Sequence, residues 1–284
     1  MVKSFSDAIR LCIWLILAFG CFTCTSLQTA QESPQEKEIY IPIRALSFEV
    51  DALKQIYLID NNNDLIKRNL DGSLQYVYGN NRNGPIEYID VMNPLQTLVF
   101  YKEFQALRIL DRTLDELLEI NLPDLGFNKV PCVASSSDNG IWIFDQDEQQ
   151  LIKIDQRLKQ VIKSDQLDQV FQRSIMPIHI KEYKNKVYLL DESRTSFYVF
   201  DNFAEYIGEI KVKDEVKGMD SARLAYLSVN GHLVSMEPNF PDLNLTVLNK
   251  LGEIDLSQVR MGKIVQDLQL LLYEDHLLIK NQEF

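Results

Sequence analysis

Ile141-Trp142-Ile143-Phe144-Asp145-Gln146-Asp147-Glu148-Gln149-Gln150-Leu151-Ile152-Lys153-Ile154-Asp155 consists of two short apolar runs on either side of a polar turn. The runs are rich in branched and aromatic side chains and too short for helices, so they read as paired strands. The first run has counterparts about every 44 residues: Ile56 to Asp60, Leu98 to Tyr101, Val187 to Asp191, Leu233 to Met236 and His276 to Ile279. Six units are visible. Each run follows another apolar stretch that can pair with it through a tight turn: Leu46 to Val50, Ile89 to Met92, Cys132 to Ala134, Ile178 to Ile180, Leu224 to Val229 and Leu268 to Tyr273.

In five units a third strand ends in Asp or Asn: Leu65 to Asn69, Leu107 to Asp111, Leu151 to Asp155, Phe197 to Asp201 and Leu245 to Asn249. Asp and Asn bond their own backbone two residues on, which favours a turn there. A fourth strand follows, as in Leu74 to Tyr78, Leu117 to Ile120 and Tyr206 to Ile210. Inner strands are almost continuously apolar, whereas third strands carry Lys67, Arg108 and Lys153. That contrast fits inner strands covered on both faces and outer strands covered less. The expected fold is all-β: a six-bladed β-propeller of four-stranded antiparallel blades, with an all-β sandwich of the same strands as the alternative. The sixth unit ends soon after its second strand, so Glu38 to Ile43 is expected to pair into it and close the ring, Pro42 being tolerated at an edge.

Gly79-Asn80-Asn81-Arg82-Asn83-Gly84-Pro85-Ile86-Glu87-Tyr88 resembles the Gly-Pro-Gly-Glu-Phe linker of NHL-type propellers, and Leu70-Asp71-Gly72 is similar to the hairpin before it. The motif is good in one repeat, while the repeat pattern covers the whole folded body. The resemblance implies a six-bladed fold, and within that family functions range from protein and RNA binding to lactone and lyase chemistry. Fold does not settle function.

The N-terminus has the layout of an export signal: Lys3 and Arg10, then an apolar run from Leu11 to Phe22, too short for a comfortable span. Leu17-Ala18-Phe19-Gly20-Cys21 resembles the bacterial lipobox, which implies lipidation at Cys21; cleavage near Thr25 to Ala30 and an uncleaved anchor are the alternatives. The expected organisation is a signal peptide over 1–20, a lipid-anchored flexible tether over 21–37 and the propeller over 38–284. The polar tether should not pack. A net charge of −12 and a pI near 4.8 argue against nucleic acid as a partner. Cys132, in an apolar strand context, is expected to be a buried small hydrophobe.

No nucleophile, phosphate-loop or zinc motif occurs, and His179, His232 and His276 stand in separate repeats. Each is expected to be a strand or turn histidine with a satisfied hydrogen bond, and neither a metal site nor a cofactor is signalled. Asp60, Asp145 and Asp191 recur at one repeat position, as turn caps should. Basic residues stand at or before the inner strands: Arg44, Arg82, Lys129, Arg173, Arg223 and Lys263. Placed at the channel mouth, such a ring would focus an anion. Other rim loops offer Phe104, Gln146-Asp147-Glu148 and Phe240 as contacts.

The expected ligand-binding rim is therefore Arg82, Arg173, Arg223, Phe104 and Phe240. The leading functional reading is a non-catalytic binding or scaffolding lipoprotein of a bacterial cell envelope, facing an envelope protein or glycan. The alternatives are a metal-dependent hydrolase or lyase of the lactonase-like propeller type and a carbohydrate-binding accessory lipoprotein of an outer-membrane uptake system.

Overall fold

The apolar runs form strands in the order the repeat dictates. The computed structural model describes residues 38–79, 82–212, 216, 224–227, 233–239, 244–250, 258–266 and 268–281. The expected export signal, Cys21 and the expected tether lie outside the described residues, and residues 37–284 form a compact unit of their own.

After β1 (Ile39–Pro42), four sheets follow in chain order. They are β2 (Ala45–Val50), β3 (Ile56–Asp60), β4 (Leu65–Arg68) and β5 (Leu74–Tyr78); then β6 (Tyr88–Asp90), β7 (Gln96–Tyr101), β8 (Ala106–Asp111) and β9 (Glu116–Asn121). The third is β10 (Val133–Ser135), β11 (Ile141–Asp145), β12 (Gln150–Ile154) and β13 (Gln160–Lys163). A short helix, α1 (Leu167–Phe171), leads to β14 (Pro177–Tyr183), β15 (Lys186–Asp191), β16 (Ser196–Asp201) and β17 (Tyr206–Lys211). A three-stranded sheet of β18 (Leu224–Leu227), β19 (Leu233–Asn239) and β20 (Asn244–Lys250) follows. The last sheet contains β21 (Met261–Val265), β22 (Leu268–Leu272) and β23 (His276–Asn281), in the order β1-β23-β22-β21.

The chain is thus an all-β propeller of antiparallel meanders. The expectation of six four-stranded blades is corrected: five sheets have four strands, and the sheet of β18–β20 has three among the described residues. The segment directly after β20 lies outside the described residues. Separate successive meanders, rather than two large facing sheets, also set aside the sandwich.

Apolar seams join neighbouring sheets. Phe48, Val50 and Leu58 of the first blade meet Leu270, Leu272 and Leu277 of the last; Tyr57 and Ile59 meet Val99 and Tyr101. Leu98 and Phe100 meet Ile143 and Ile152, and Trp142 and Phe144 meet Val187 and Leu189. Each such fully buried side chain contributes about 2 kcal/mol of transfer free energy. The closing strand pairs into the last sheet as expected, with Ile39 opposite Ile279, Ile41 opposite Leu277 and Pro42 opposite His276. The phase of that unit is corrected: β21 is its innermost strand, so Leu268 to Leu272 and His276 to Asn281, expected as first and second, are second and third. Ile43 N–H donates to Asp275 O at 3.0 Å, continuing the tie into the linker. Gly72, at φ +86°, lets the turn between β4 and β5 come up against Ile41: a Cβ there would lie 3.0 Å from Ile41 Cγ1.

The outermost pair bulges in each of the first four blades, at Lys67/Arg68, Ile109/Leu110, Lys153/Ile154 and Val199/Phe200. The added twist turns each free edge away from flat pairing.

Candidate functional site

On one rim of the propeller, among the described residues, the linker into a blade meets the turn between the second and third strands of the blade before it. One device recurs there. Asn63 donates from Nδ2 to Gly84 O at 2.9 Å and accepts from Ile86 N–H at 2.6 Å. Gln105 donates to Val130 O at 3.0 Å and accepts from Val130 N–H at 2.6 Å. Gln149 donates to Ile175 O at 3.2 Å and accepts from Ile175 N–H at 2.7 Å. In the fourth blade Arg194 Nη1 donates to Val216 O at 3.2 Å, and Val216 N–H to Arg194 O at 2.7 Å.

All four residues have positive φ: 66°, 49°, 52° and 57°. That backbone swings the side chain from its own turn towards the incoming linker. An amide carries both a donor and an acceptor, so it satisfies a peptide N–H and a peptide C=O at once. The rim is therefore clamped from blade to blade.

The recurring aspartates act beneath these clamps. Asp60 accepts from the N–H of Asn62 and Asp64, Asp145 from those of Asp147 and Glu148, and Asp191 from that of Ser193. They cap turns, as their recurrence predicts.

Phe104 projects from the turn between β7 and β8 and is 56% exposed. Its ring lies beside Gly84 of the neighbouring linker, so a Cβ on Gly84 would meet its Cε2 at 2.9 Å. Lys102 pairs with Glu87 at 3.7 Å close by. Arg82 is exposed on the same linker. Arg173 is already engaged: its Nη2 donates to Tyr198 Oη at 2.6 Å and lies 3.8 Å from Asp191 Oδ2. Arg223 and Phe240 lie outside the described residues.

The expected basic ring is corrected at Lys263. Its ammonium is buried within β21, 2.6 Å from Glu49 Oε1 and above the Phe48 ring. Arg44 and Lys129 are exposed.

Polar groups of the innermost strands tie neighbouring blades. Ser135 N–H donates to Asp90 Oδ2 at 2.9 Å. Glu182 accepts from Ser136 Oγ and Trp142 Nε1, each at 2.6 Å, and from Ser137. Burial alone would raise the Glu182 pKa; those donors outweigh it and hold the carboxyl below its ordinary range. Among the described residues no group of three or more His, Cys, Asp or Glu is placed to hold a metal ion.

Cys132 is buried and free, with burial pushing its thiol pKa up, and its Sγ donates to Pro177 O at 3.4 Å. It is the buried hydrophobe expected. His276 Nδ1 lies 2.7 Å from Asp275 Oδ1, with the ring between Tyr40 and Tyr273. His232 lies outside the described residues. His179 departs from expectation, since its buried Nε2 has no hydrogen-bond partner among the described residues.

No protein-family model matches the chain, and neither does any curated protein. Solved structures do. Virginiamycin B lyase from Staphylococcus aureus is 9% identical with a TM-score of 0.62, covering 87% of this chain and 99% of that one. A streptogramin B lyase is 12% identical with a TM-score of 0.55, covering 89% and 81%. The RRP9 WD40 repeats are 7% identical with a TM-score of 0.54, covering 86% and 98%. At such identities the likeness is one of fold, and it agrees with the strand topology: the chain is a β-propeller.

Proposed function

We propose that the chain is a lipid-anchored envelope module that binds a protein or glycan through the linker rim of a six-bladed, NHL-like propeller. This count takes the sheet of β18–β20 as the sixth blade. The observation that carries the reading is the clamped rim itself. Asn63, Gln105 and Gln149 hold successive linkers by paired hydrogen bonds while Phe104 stays largely exposed on top of one of them. A surface fixed before binding loses little entropy when a partner docks, and an exposed aromatic supplies a natural anchor. Arg82 and the Lys102–Glu87 pair give that anchor a polar surround. On the innermost strands Glu49, Asp90 and Glu182 are engaged by protein donors, which favours binding over a carboxylate-held cation.

The test is affinity capture of the tagged, detergent-extracted protein from its own membranes, beside Phe104→Ala, with metal analysis of both samples. The reading expects a stoichiometric partner that the variant loses. A partner-free protein carrying one tightly held divalent ion would overturn it in favour of the hydrolase or lyase.

A further inference from the structure

Antiparallel meanders give the propeller two rims. Linkers and the turns between second and third strands share one; the turns between first and second strands and between third and fourth strands share the other. The described part of the chain begins on that other rim. β1 takes the fourth-strand place in the last sheet and runs towards the linker rim, where Ile43 N–H meets Asp275 O. Its first residue, Ile39, therefore lies at the far end, beside Glu38, whose carboxylate pairs with Lys280 near the end of β23.

The same rim displays the three most exposed large apolar side chains among the described residues: Phe203 at 66%, Leu53 at 63% and Leu95 at 62%. They belong to three different blades, and one device presents them all. Asp51 Oδ1 accepts from Leu53 N–H at 2.9 Å, Asn93 Oδ1 from Leu95 N–H at 2.9 Å and Asp201 Oδ1 from Phe203 N–H at 2.8 Å. Each bond fixes the backbone two residues on, so the apolar side chain is held at the tip of its turn. Leu95 also walls two hollows between blades. One, of about 470 Å³, is lined by residues that include Leu53 and Tyr76; the other, of about 500 Å³, by residues that include Leu117, Leu118 and Leu158. A lone exposed leucine needs no explanation, whereas a connected apolar tract on one rim marks a contact face. Arg112, Arg157, Lys159 and Lys184 are exposed on turns of this rim, and so are Asp71, Asp115 and Glu205. Both signs are present, which leaves the apolar tips to carry adhesion.

We propose that this rim docks on the phospholipid bilayer, with Leu53, Leu95 and Phe203 inserted at the boundary between headgroups and acyl chains. The inference rests on the anchored reading above. Residues 21–37 reach at most about 60 Å even when fully extended. They join the propeller on the rim that carries the apolar tips, so a lipidated Cys21 brings that face to the bilayer first. Tethering makes docking intramolecular, and a weak insertion then suffices. Apolar side chains at such a boundary leave water while the charged turns beside them stay at headgroup level. Docking in this way turns the linker rim, with Phe104, towards the aqueous side, open to a partner.

Tryptophan quenching in the full-length protein, reconstituted in vesicles of phosphatidylcholine brominated on the acyl chain, tests it. The variants are Leu53→Trp, Leu95→Trp, Phe203→Trp and, on the linker rim, Phe104→Trp; the unsubstituted protein gives the background of Trp14 and Trp142. The first three should be quenched about threefold or more strongly than the fourth. Adding Leu53→Asp and Leu95→Asp to Phe203→Trp should remove about half of its quenching or more. The substituted side chains stand in water, and Leu74→Trp, on the same rim and 56% exposed, replaces any variant that fails to fold. Equal quenching on the two rims, in protein that floats with the vesicles, overturns the docking and leaves the anchor standing. Protein that does not float with them overturns both. Blue-shifted emission from the three tips that grows with protein concentration in the absence of lipid assigns the rim to a second copy of the chain and overturns lipid docking.

Discussion

Replacing Gln149 by alanine should destabilise the propeller by an amount the clamp geometry sets. The amide makes two bonds to Ile175, at 2.7 Å and 3.2 Å, and a third to Gln146 O at 3.0 Å. Ile175 is 1% exposed, so its N–H would be left without a partner away from water, while its C=O keeps the bond from Gln146 Nε2 at 3.1 Å. Leaving a buried polar group unsatisfied costs about 1–3 kcal/mol, which is the expected loss. At about 2–4 °C per kcal/mol for a domain of this size, Tm should fall by roughly 2–12 °C. Gln149→Gly separates the amide from the backbone, because the native φ of 52° strains any L-residue. Glycine should therefore be less destabilising than alanine by about 1 kcal/mol. Urea unfolding followed by the fluorescence of Trp142, fully buried in the same blade, measures both, and exchange of the Ile175 amide gives the local reading. A Gln149→Ala loss under about 0.5 kcal/mol, or glycine as harmful as alanine, would refute the clamp.

Three further perturbations test other parts of the account. Glu49→Gln leaves the buried Lys263 ammonium without its carboxylate and should cost about 3 kcal/mol in urea unfolding, while Glu49→Leu with Lys263→Met should recover much of it; additive losses would contradict a coupled pair. Gly72→Ala forces a side chain onto a φ of +86° and against Ile41, so it should cost about 1–3 kcal/mol and speed amide exchange in β1, with unchanged exchange as the contrary result. Acid should destabilise the fold in two windows. His179 titrates near 6.5 unfolded and near 3 folded, so the unfolded chain takes up its proton first and stability falls as pH drops below about 6.5. Glu182 is held below 4.5 in the fold, so its contribution is present above that pH and lost as pH falls further. His179→Gln should remove the upper window alone and Glu182→Gln the lower, read from Tm between pH 7 and pH 3; a single unchanged acid transition in both variants would be contrary.

The strands, the closing role of Ile39 to Ile43 and the turn-capping aspartates were legible because they rest on local periodicity and on recurrence. The outer strands were less legible, because those of the first blades are half exposed and their apolar signal is weak, as Leu74, Tyr76 and Val77 illustrate. Lys263 was misplaced because the sixth unit was read one strand late: Leu268 to Leu272 is its second strand, and Lys263 lies inside its innermost strand, β21, where it reaches Glu49. The clamps were missed because their partners lie in the next repeat. A signal existed: Asn63, Gln105 and Gln149 each stand two residues before the leucines Leu65, Leu107 and Leu151, at the end of a turn.

The most direct measurement is site-specific photo-crosslinking in intact native membranes, with the reactive side chain placed at Phe104 on the clamped rim or at Leu53, exposed on the opposite rim. The account predicts one dominant adduct from position 104 that is absent from position 53. Equal adducts from both positions, or an adduct from position 53 alone, would contradict the linker rim as the binding face.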